Sequence, residues 1–219
     1  VSLSVRFADY VLFPGKHHIA LVRSSNLALP YRKVVVAHYG PPISAPSWSP
    51  TLEQRVRIVF PSFADEEHKN AKVLLHAIAL LAEEMPLDLH LFRGGTYPQQ
   101  KQYIALNNLA RKMGVERFTR WHASCEPEFV LSLLASANVS VFPSHYESFG
   151  HGLLESLAVG VPLVAANEPY AKEIAGDAAV YFDPSSPRQL AEAIKTIVTN
   201  REVSTTLSRR GRERAKVFS

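Results

Sequence analysis

From about residue 57 to the end of the chain, short apolar runs alternate with segments in which apolar residues recur at helical spacing. The strand-like runs read RIVFPS (57–62), LDLHLF (87–92), FTRW (118–121), NVSVFPS (138–144), VPLVAA (161–166) and AVYF (179–182). Their continuous apolar character is typical of a parallel sheet that helices cover on both faces. The sequence therefore predicts an α/β fold with a doubly wound parallel sheet.

Helical segments separate these strands and also close the chain. They read NAKVLLHAIALLAEE (70–84), PQQKQYIALNNLARKMG (98–114), EPEFVLSLLASA (126–137), GLLESLAVG (152–160), EPYAKEIAG (168–176), SPRQLAEAIKTIVT (186–199) and REVSTTLSRRGRERAKVF (201–218). Ligands of doubly wound sheets bind at the carboxyl ends of the strands, beside helix N-termini. We therefore expect the functional loops to be FPS (60–62), LFRGG (91–95), RWHA (120–123), VFPSHYE (141–147) and LVAANE (163–168).

Residues 1–56 follow a different pattern. A strand and a helix are predicted within DYVLFPGKHHIALVR (9–23), and a second strand within KVVVAHYG (33–40). The next segment, PPISAPSWSP (41–50), is rich in proline and serine, which is a linker composition. One strand–helix–strand unit cannot form a core of its own. We interpret residues 1–50 as the remnant of a preceding domain plus a linker, and residues 51–219 as a second domain.

Charge and composition limit the classes of function. The 219 residues carry a formal charge of +4, which suits an anionic small ligand or an anionic membrane surface. The sequence has no dense basic stripe with interleaved aromatic residues, so nucleic acid is not an expected partner. It also has no apolar run long enough to span a bilayer and no signal-peptide pattern. A single cysteine, Cys125, favours a reducing compartment.

The stretch HYESFGHGLLES (145–156) places Glu147 and Glu155 on either side of a glycine-containing turn. Without a Cβ, Gly150 and Gly152 allow a ligand to approach the backbone closely. A helix that begins near Gly152 offers unpaired N–H groups and a positive dipole end to a phosphate. Glu155, in its first turn, can then accept hydrogen bonds from ribose hydroxyls. Spacing alone leaves an alternative open: Glu155 favours the helix dipole, and the glycines build a tight loop.

The segment FPSHYESFGHGLLESLAVGVPLVAANEPYAKEIAGDAAVYFDPSSPRQLAEAI (142–194) resembles the C-terminal half of a GT-B glycosyltransferase of family GT4, the glycosyl transferases group 1. The family pattern has two glutamates with seven residues between them, Phe-Gly among these seven, then Gly-Val-Pro and Gly-Asp. Here these are Glu147, Phe149-Gly150, Glu155, Gly160-Val161-Pro162 and Gly176-Asp177. The resemblance covers residues 57–219 well and residues 1–56 more faintly.

This resemblance implies that the second domain binds a nucleoside-diphosphate sugar in a Rossmann-like fold. It implies a catalytic role for Glu147 near the donor sugar and a ribose contact for Glu155. Backbone groups that would hold the sugar and the diphosphate belong to Phe149, Gly150, His151, Gly152 and Leu153. The base would be read at Trp121 and His122. The implied reaction is retaining transfer of a hexose to a hydroxyl acceptor without a metal or other cofactor.

One departure from the family pattern concerns the cationic clamp on the diphosphate. The first strand of the domain usually ends in Gly-Arg, and Lys-Asn follows several residues later. Here the strand ends in Pro61-Ser62, so the arginine is missing and Ser62 stands in its place, whereas Lys69-Asn70 is retained. Arg93 after the next strand is a candidate replacement, but a surface role fits it as well.

The resemblance also implies partners and a location. The acceptor would be a glycan or a lipid-linked glycan, and the protein's own N-terminal domain would complete the cleft. The chain by itself is therefore expected to be inactive. Polysaccharide biosynthesis in the cytoplasm is implied, with peripheral contact at the inner face of the membrane as an option that the basic charge allows.

Other functions remain as alternatives. A degenerate, non-catalytic nucleotide-sugar binding module fits the missing arginine, and a GT-B nucleotide-sugar epimerase would share the sheet. A zinc site at His145, His151 and Glu147 is disfavoured because their spacing matches no fixed ligand pattern. Neither a nucleophile elbow nor a dinucleotide fingerprint is present, which argues against a hydrolase and against a Rossmann oxidoreductase.

Overall fold

A computed structural model describes residues 10–24, 34–37, 40–41, 44–50, 55–123 and 125–218. Parts of the predicted second strand (33–40) and of the linker (41–50) lie outside the described residues, as do residues 51–54 at the predicted domain boundary. The N-terminal segment contains strand β1 (Val11–Phe13), helix α1 (Lys16–Ser24) and strand β2 (Val34–Val36). β1 and β2 pair in parallel as a separate two-stranded sheet.

Six further parallel strands form the main sheet, in the order β5-β4-β3-β6-β7-β8. They are β3 (Val56–Phe63), β4 (Leu87–Phe92), β5 (Thr119–His122), β6 (Val139–Phe142), β7 (Leu163–Ala166) and β8 (Ala179–Phe182). The predicted doubly wound sheet is confirmed. Its order reverses between β3 and β6, so the loops that follow these two strands meet at one edge of the sheet, which is where such folds bind ligands.

Helices connect the strands and cover the sheet. They are α2 (Ala71–Leu81), α3 (Tyr97–Lys112), α4 (Pro127–Ser136), α5 (His151–Val159), α6 (Pro169–Ala175), α7 (Pro187–Thr199) and α8 (Arg201–Ala215), with short 3₁₀ turns at Glu67–Lys69, Glu116–Phe118 and Lys216–Phe218. Apolar side chains of these helices and of the strands form a continuous buried core. Among the described residues, no helix has the length and apolar character needed to cross a bilayer.

Strand β3 runs through its proline to Phe63, one residue beyond the predicted end at Ser62. Its pairing with β4 shifts register between Phe60 and Phe63, which is a bulge. Proline lacks the N–H that a regular ladder needs, and bulges accommodate it. The bulge leaves Pro61 and Ser62 at the carboxyl edge of the sheet, beside the loop that follows β6.

Strand β4 departs from the continuously apolar character that the sequence predicted. Asp88 and His90 alternate with leucines along β4, yet both are buried. The Asp88 carboxylate accepts hydrogen bonds from Arg120 Nε at 2.5 Å and from His90 Nε2 at 3.0 Å. His90 Nδ1 lies 2.8 Å from His122 Nε2. These polar groups are tolerated in the sheet because they satisfy one another.

The pKa values within this cluster have distinct causes. Burial lowers the pKa of His90, partly offset by Asp88, and burial together with the charges of neighbouring basic residues lowers the pKa of His122. Burial alone would raise the pKa of Asp88, but hydrogen bonds from Arg120 and His90 bring it below its ordinary value. The cluster is therefore an ionised carboxylate that orders two neutral imidazoles.

Proline-rich residues before the main domain are docked on it rather than loose. Trp48 Nε1 donates to the carbonyl of Ala137 at 2.8 Å, and the Trp48 amide donates to Val159 at 3.1 Å. The Ser49 amide donates to Ala135 at 2.8 Å. This part of the predicted linker is thereby fixed against the ends of α4 and α5.

We expect Trp48→Phe to lower the free energy of unfolding by about 1–2 kcal/mol more than Trp121→Phe does, since only Trp48 loses an indole hydrogen bond. Among described residues the buried Trp121 Nε1 has no partner. Trp121→Phe is therefore a matched control, because it removes the same part of the indole ring without removing a hydrogen bond. Urea unfolding followed by circular dichroism measures both. Equal losses would show that the docking of Trp48 contributes nothing.

Acid should destabilise the fold partly through His90. Because its pKa is lowered in the folded state, the unfolded chain binds a proton first, and stability falls as the pH drops below about 6.5. His90→Gln should flatten the decline in unfolding free energy between about pH 7.5 and about pH 5.5, while lowering stability at the upper pH. The exposed His76, replaced by glutamine, is the control and should leave the slope unchanged. A slope that His90→Gln leaves intact would contradict the assignment.

Candidate functional site

A cleft of about 360 Å³ lies at the carboxyl edge of the sheet, where the loops after β3 and β6 meet. Most of the predicted site residues line it, namely Ser62, Lys69, Glu147, Gly150, His151, Gly152 and Glu155. One end of the cleft is apolar and is formed by Phe92, Pro127 and Val130, with Cys125 beside them. The cleft thus has a charged centre and an apolar end.

Glu155 lies in α5 and lines the cleft. The helix begins at His151, so Glu155 lies beyond the first turn, contrary to the sequence prediction. Within the described parts of the chain, no residue forms a hydrogen bond or an ion pair with its carboxylate, and burial raises its pKa. A role in stabilising the helix dipole would need a first-turn position. The geometry therefore favours the alternative in which Glu155 accepts hydrogen bonds from a ligand.

Glu147 is buried at the opposite side of the charged centre and is paired with Lys69. The Lys69 ammonium donates to both carboxylate oxygens, at 2.9 and 2.8 Å. Each of the two residues is only 8% exposed. A buried pair of this kind requires close geometry, because the desolvation of both charges must be compensated by their mutual attraction.

The chain after β3 holds Lys69 in place. Lys69 ends a 3₁₀ turn, and the next residue, Asn70, has a left-handed backbone with φ of 54°. Asparagine tolerates this conformation better than most residues. The Asn70 side chain donates to the carbonyls of Pro143 at 3.2 Å and Pro184 at 2.8 Å. Asn70 thus ties the lysine to the loop that carries Glu147.

The two glycines of the turn, Gly150 and Gly152, have different structural roles. Gly150 has φ of 86°, a conformation that favours glycine. A Cβ on Gly152 would lie 2.2 Å from the carbonyl oxygen of Pro61. The bulged end of β3 therefore fills the space where a side chain would stand, while the Gly152 backbone still lines the cleft, and the approach of a ligand to it stays a prediction. The glycine allows α5 to pack against β3.

One predicted backbone contact, that of Leu153, is contradicted, while Phe149 and Trp121 have side chains packed inside the protein and their predicted ligand contacts stay predictions. The Leu153 amide already donates to the Gly150 carbonyl at 3.0 Å, so it is not available to a ligand. The Phe149 side chain is fully buried, and its ring packs 6.0 Å from that of Phe218. Trp121 packs edge-on against Tyr103 at 5.0 Å and does not line the cleft. Phe149 and Trp121 therefore support the site through the core.

His122 lies next to the apolar end of the cleft without lining it. Its ring is 5.2 Å from that of Phe92 and 5.3 Å from that of Phe129. Sequence reasoning missed Asp88 and His90, which fix this ring; the polar residues that interrupt the apolar strand LDLHLF were the available signal. Arg93 lies over the ring of Tyr103 at 5.1 Å and away from the cleft. Among the described residues of the lining, Lys69 is the single lysine or arginine.

Across the described ranges, no three side chains of histidine, cysteine, aspartate or glutamate converge as metal ligands do. The arrangement that remains has one unpartnered carboxylate, one carboxylate paired with a lysine, and a helix N-terminus beside them. This combination can bind hydroxyl donors and an anion at the same time.

We expect Lys69→Met to lower the free energy of unfolding by about 3–5 kcal/mol, because it leaves the Glu147 carboxylate buried without a counter-charge. Adding Glu147→Leu to the same chain should recover much of the loss, since both charges are then removed. Urea unfolding of the single and double variants measures the difference. A double variant as unstable as Lys69→Met would mean that the pair is not coupled.

Comparisons with known proteins place the chain in a known family. Residues 49–214 match the family described as glycosyl transferases group 1. The O-antigen chain mannosyltransferase B of Escherichia coli is 32% identical over 161 residues, which cover 70% of this chain and 40% of the relative. A D-inositol 3-phosphate glycosyltransferase of Corynebacterium efficiens is 30% identical over 156 residues, covering 69% of this chain and 37% of the relative. The chain therefore spans less than half the length of these relatives.

Solved structures share the fold at low sequence identity. Anabaena HepE in complex with UDP and glucose superposes with a TM-score of 0.87 at 19% identity, over 99% of this chain and 61% of that one. Sucrose-phosphate synthase from Thermosynechococcus elongatus superposes with a TM-score of 0.85 at 19% identity, over 99% of this chain and 56% of that one. With the family matched over more than half of its residues, the chain belongs to the glycosyl transferases group 1 and has the fold of a GT-B glycosyltransferase.

Proposed function

We propose that the chain contains the donor site of a retaining glycosyltransferase, which moves a hexose from a nucleoside-diphosphate sugar to a hydroxyl acceptor. The observation that carries this proposal is Glu155, a carboxylate that lines the cleft and has no partner among the described residues. A vicinal diol supplies the two donors that such a carboxylate accepts. The ribose of a nucleotide is a ligand with that diol.

The rest of the nucleotide sugar can be assigned from Glu155 outward. The apolar end at Phe92, Pro127 and Val130 suits the base. The diphosphate fits the N-terminus of α5, where the dipole and the amides of His151 and Gly152 attract an anion. The hexose then falls beside Glu147. Lys69, bound to Glu147, is the cation closest to both the sugar and the diphosphate.

In this mechanism the protein mainly stabilises the charges that develop on the diphosphate and on the sugar. Negative charge grows on the diphosphate as the bond to the sugar breaks, and the α5 N-terminus and Lys69 oppose it. Glu147 stabilises the positive character that develops on the sugar. The missing arginine leaves the clamp with one lysine, and the Ser62 hydroxyl offers a hydrogen bond in place of a charge. We expect weaker binding of the diphosphate than a two-cation clamp provides.

An acceptor has access to Glu147 from the far side of the turn. A second, largely apolar cavity of about 630 Å³ shares Glu147 and Ser148 with the donor cleft and extends to α1 and α6. We assign the acceptor to this side: a glycan or a lipid-linked glycan that also contacts the protein's own N-terminal domain. Transfer without a metal, at the inner face of the membrane through peripheral contact, completes the proposal, and nucleic acid has no part in it.

The test is a calorimetric titration of the chain with UDP, GDP and ADP, beside Glu155→Ala. Loss of a hydrogen bond to a charged group should weaken binding of the preferred nucleotide about ten- to a hundredfold. The exposed Glu128, replaced by alanine, is a matched control on another helix and should bind as the parent does. Unchanged affinity in Glu155→Ala would overturn the ribose contact.

If no nucleotide binds to the parent chain, Ser62→Arg restores the second cation and separates a weakened site from an absent one. Binding of a nucleotide by Ser62→Arg would support a donor site whose affinity is low because the arginine is missing. The missing arginine also favours a second candidate, a binding module without catalysis. Turnover of a nucleotide sugar by the complete protein would exclude that candidate, and tight binding without turnover would support it.

A further inference from the structure

Helix α1 is anchored on α6 through a single carboxylate. The backbone N–H groups of Lys16 and His17, at the N-terminus of α1, donate to Glu173 at 2.6 and 2.9 Å. His17 Nδ1 lies 2.8 Å from the same carboxylate. Burial would raise the pKa of Glu173, but these hydrogen bonds hold it at about 2. Glu173 is therefore an anion that can only accept hydrogen bonds.

The sequence Gly15-Lys16-His17 is built for this contact. A Cβ on Gly15 would lie 2.6 Å from the Cε1 atom and 2.7 Å from the Nδ1 atom of the His17 ring. The ring thus folds back over the glycine to reach Glu173. The position of the His17 ring therefore explains why a glycine precedes α1. Gly15 does not line the proposed nucleotide site.

The other ring nitrogen of His17 faces the donor site. His17 Nε2 lies 3.3 Å from the main-chain oxygen of Glu147, and the His17 side chain is only 7% exposed. A carbonyl oxygen accepts hydrogen bonds and cannot donate them. Both ring nitrogens therefore face groups that only accept, and two hydrogen bonds can form only if both nitrogens carry a proton.

We infer that His17 is a positioning residue for the donor site: as an imidazolium, it ties the Glu173 carboxylate to the main chain of Glu147. The assignment of a function to Glu147 rests on the proposed glycosyl transfer, whereas the contact itself does not. Lys69 holds the Glu147 carboxylate, and His17 holds its carbonyl. The turn that separates the two cavities is thus fixed from the domain on one side and from the N-terminal segment on the other.

Charges around the ring agree with this protonation. The groups that face it are Glu173 and Tyr170 from α6, Glu147 from the turn, and His18 from α1. Burial lowers the pKa of His18, so this neighbouring ring stays neutral and adds no positive charge beside His17. Tyr170 presents its ring edge to His17 at 6.4 Å, and its hydroxyl is bound to the Ser144 carbonyl. Glu168 lines the same cavity and adds negative charge.

Heteronuclear NMR of the histidine rings in the whole chain tests the protonation directly. At neutral pH we expect two protonated nitrogens for His17, with the signal assigned by its loss in His17→Asn. Glu173→Gln should return His17 to a neutral ring, because the anion that holds the second proton is gone. A neutral His17 in the parent chain would overturn the inference without bearing on nucleotide binding.

Hydrogen exchange tests the positioning. The amides of Ser148 and Phe149 should exchange about tenfold faster in His17→Asn than in the parent chain, because the turn loses a hydrogen bond that restrains it. His76→Asn, an exposed histidine on α2, should leave them unchanged. Equal exchange in His17→Asn and the parent chain would overturn the positioning role.

A binding measurement then separates this role from the proposed function. His17→Asn should weaken UDP-glucose about fivefold or more while changing the affinity for UDP less than about twofold, because Glu147 lies at the sugar end. Equal losses for both ligands would contradict a role at the sugar. If neither ligand binds to the parent chain, Ser62→Arg decides between a weakened and an absent donor site, and the NMR and exchange results still decide the role of His17.

Discussion

The buried pair of Lys69 and Glu147 is the interaction on which the geometry of the site depends. Neither charge would be stable where it lies without the other, since an isolated buried ion costs several kcal/mol in a protein interior, on the order of the whole stability of a domain. The pair also joins the two loops at the switch point of the sheet, because Lys69 follows β3 and Glu147 follows β6. Both residues line the cleft between these loops, so the pair helps to fix its shape.

The same pair limits what the cleft can do. With Lys69 committed to Glu147, its charge is partly neutralised before an anion enters, and among the described lining residues no second lysine or arginine compensates. An anionic ligand must therefore be bound by the N-terminus of α5 and by a Lys69 ammonium that also remains bonded to Glu147. Glu155 is different, because none of the residues that the structure describes binds its carboxylate, which therefore adds affinity only when a ligand supplies hydrogen-bond donors. Selectivity for a diol beside an anion follows from this contrast.

The order of strands and helices could be predicted from the sequence because it depends on local periodicity and on glycines after helices. β4 and β8 were predicted with their observed bounds. The turn with its two glutamates could be predicted as well. What periodicity could not supply was the environment: the carbonyl of Pro61 against Gly152, and the alternating Asp88 and His90 in a buried strand. The first contact joins a strand to a helix far along the chain, and the polar residues of β4 find their partners Arg120 and His122 in the neighbouring strand β5.

The contacts of His17 are a further example of an environment that the sequence could not predict. In the sequence it is one of two adjacent histidines, and nothing near it suggests a carboxylate 156 residues later or a carbonyl 130 residues later. Parallel sheets bring such distant residues together because every strand ends at the same edge. The N-terminal segment approaches that edge through α1, and its one half-turn of glycine, lysine and histidine contacts both α6 and the turn. A residue from outside the main sheet can therefore share in orienting Glu147, so the site extends beyond the residues of the six-stranded sheet and its connections.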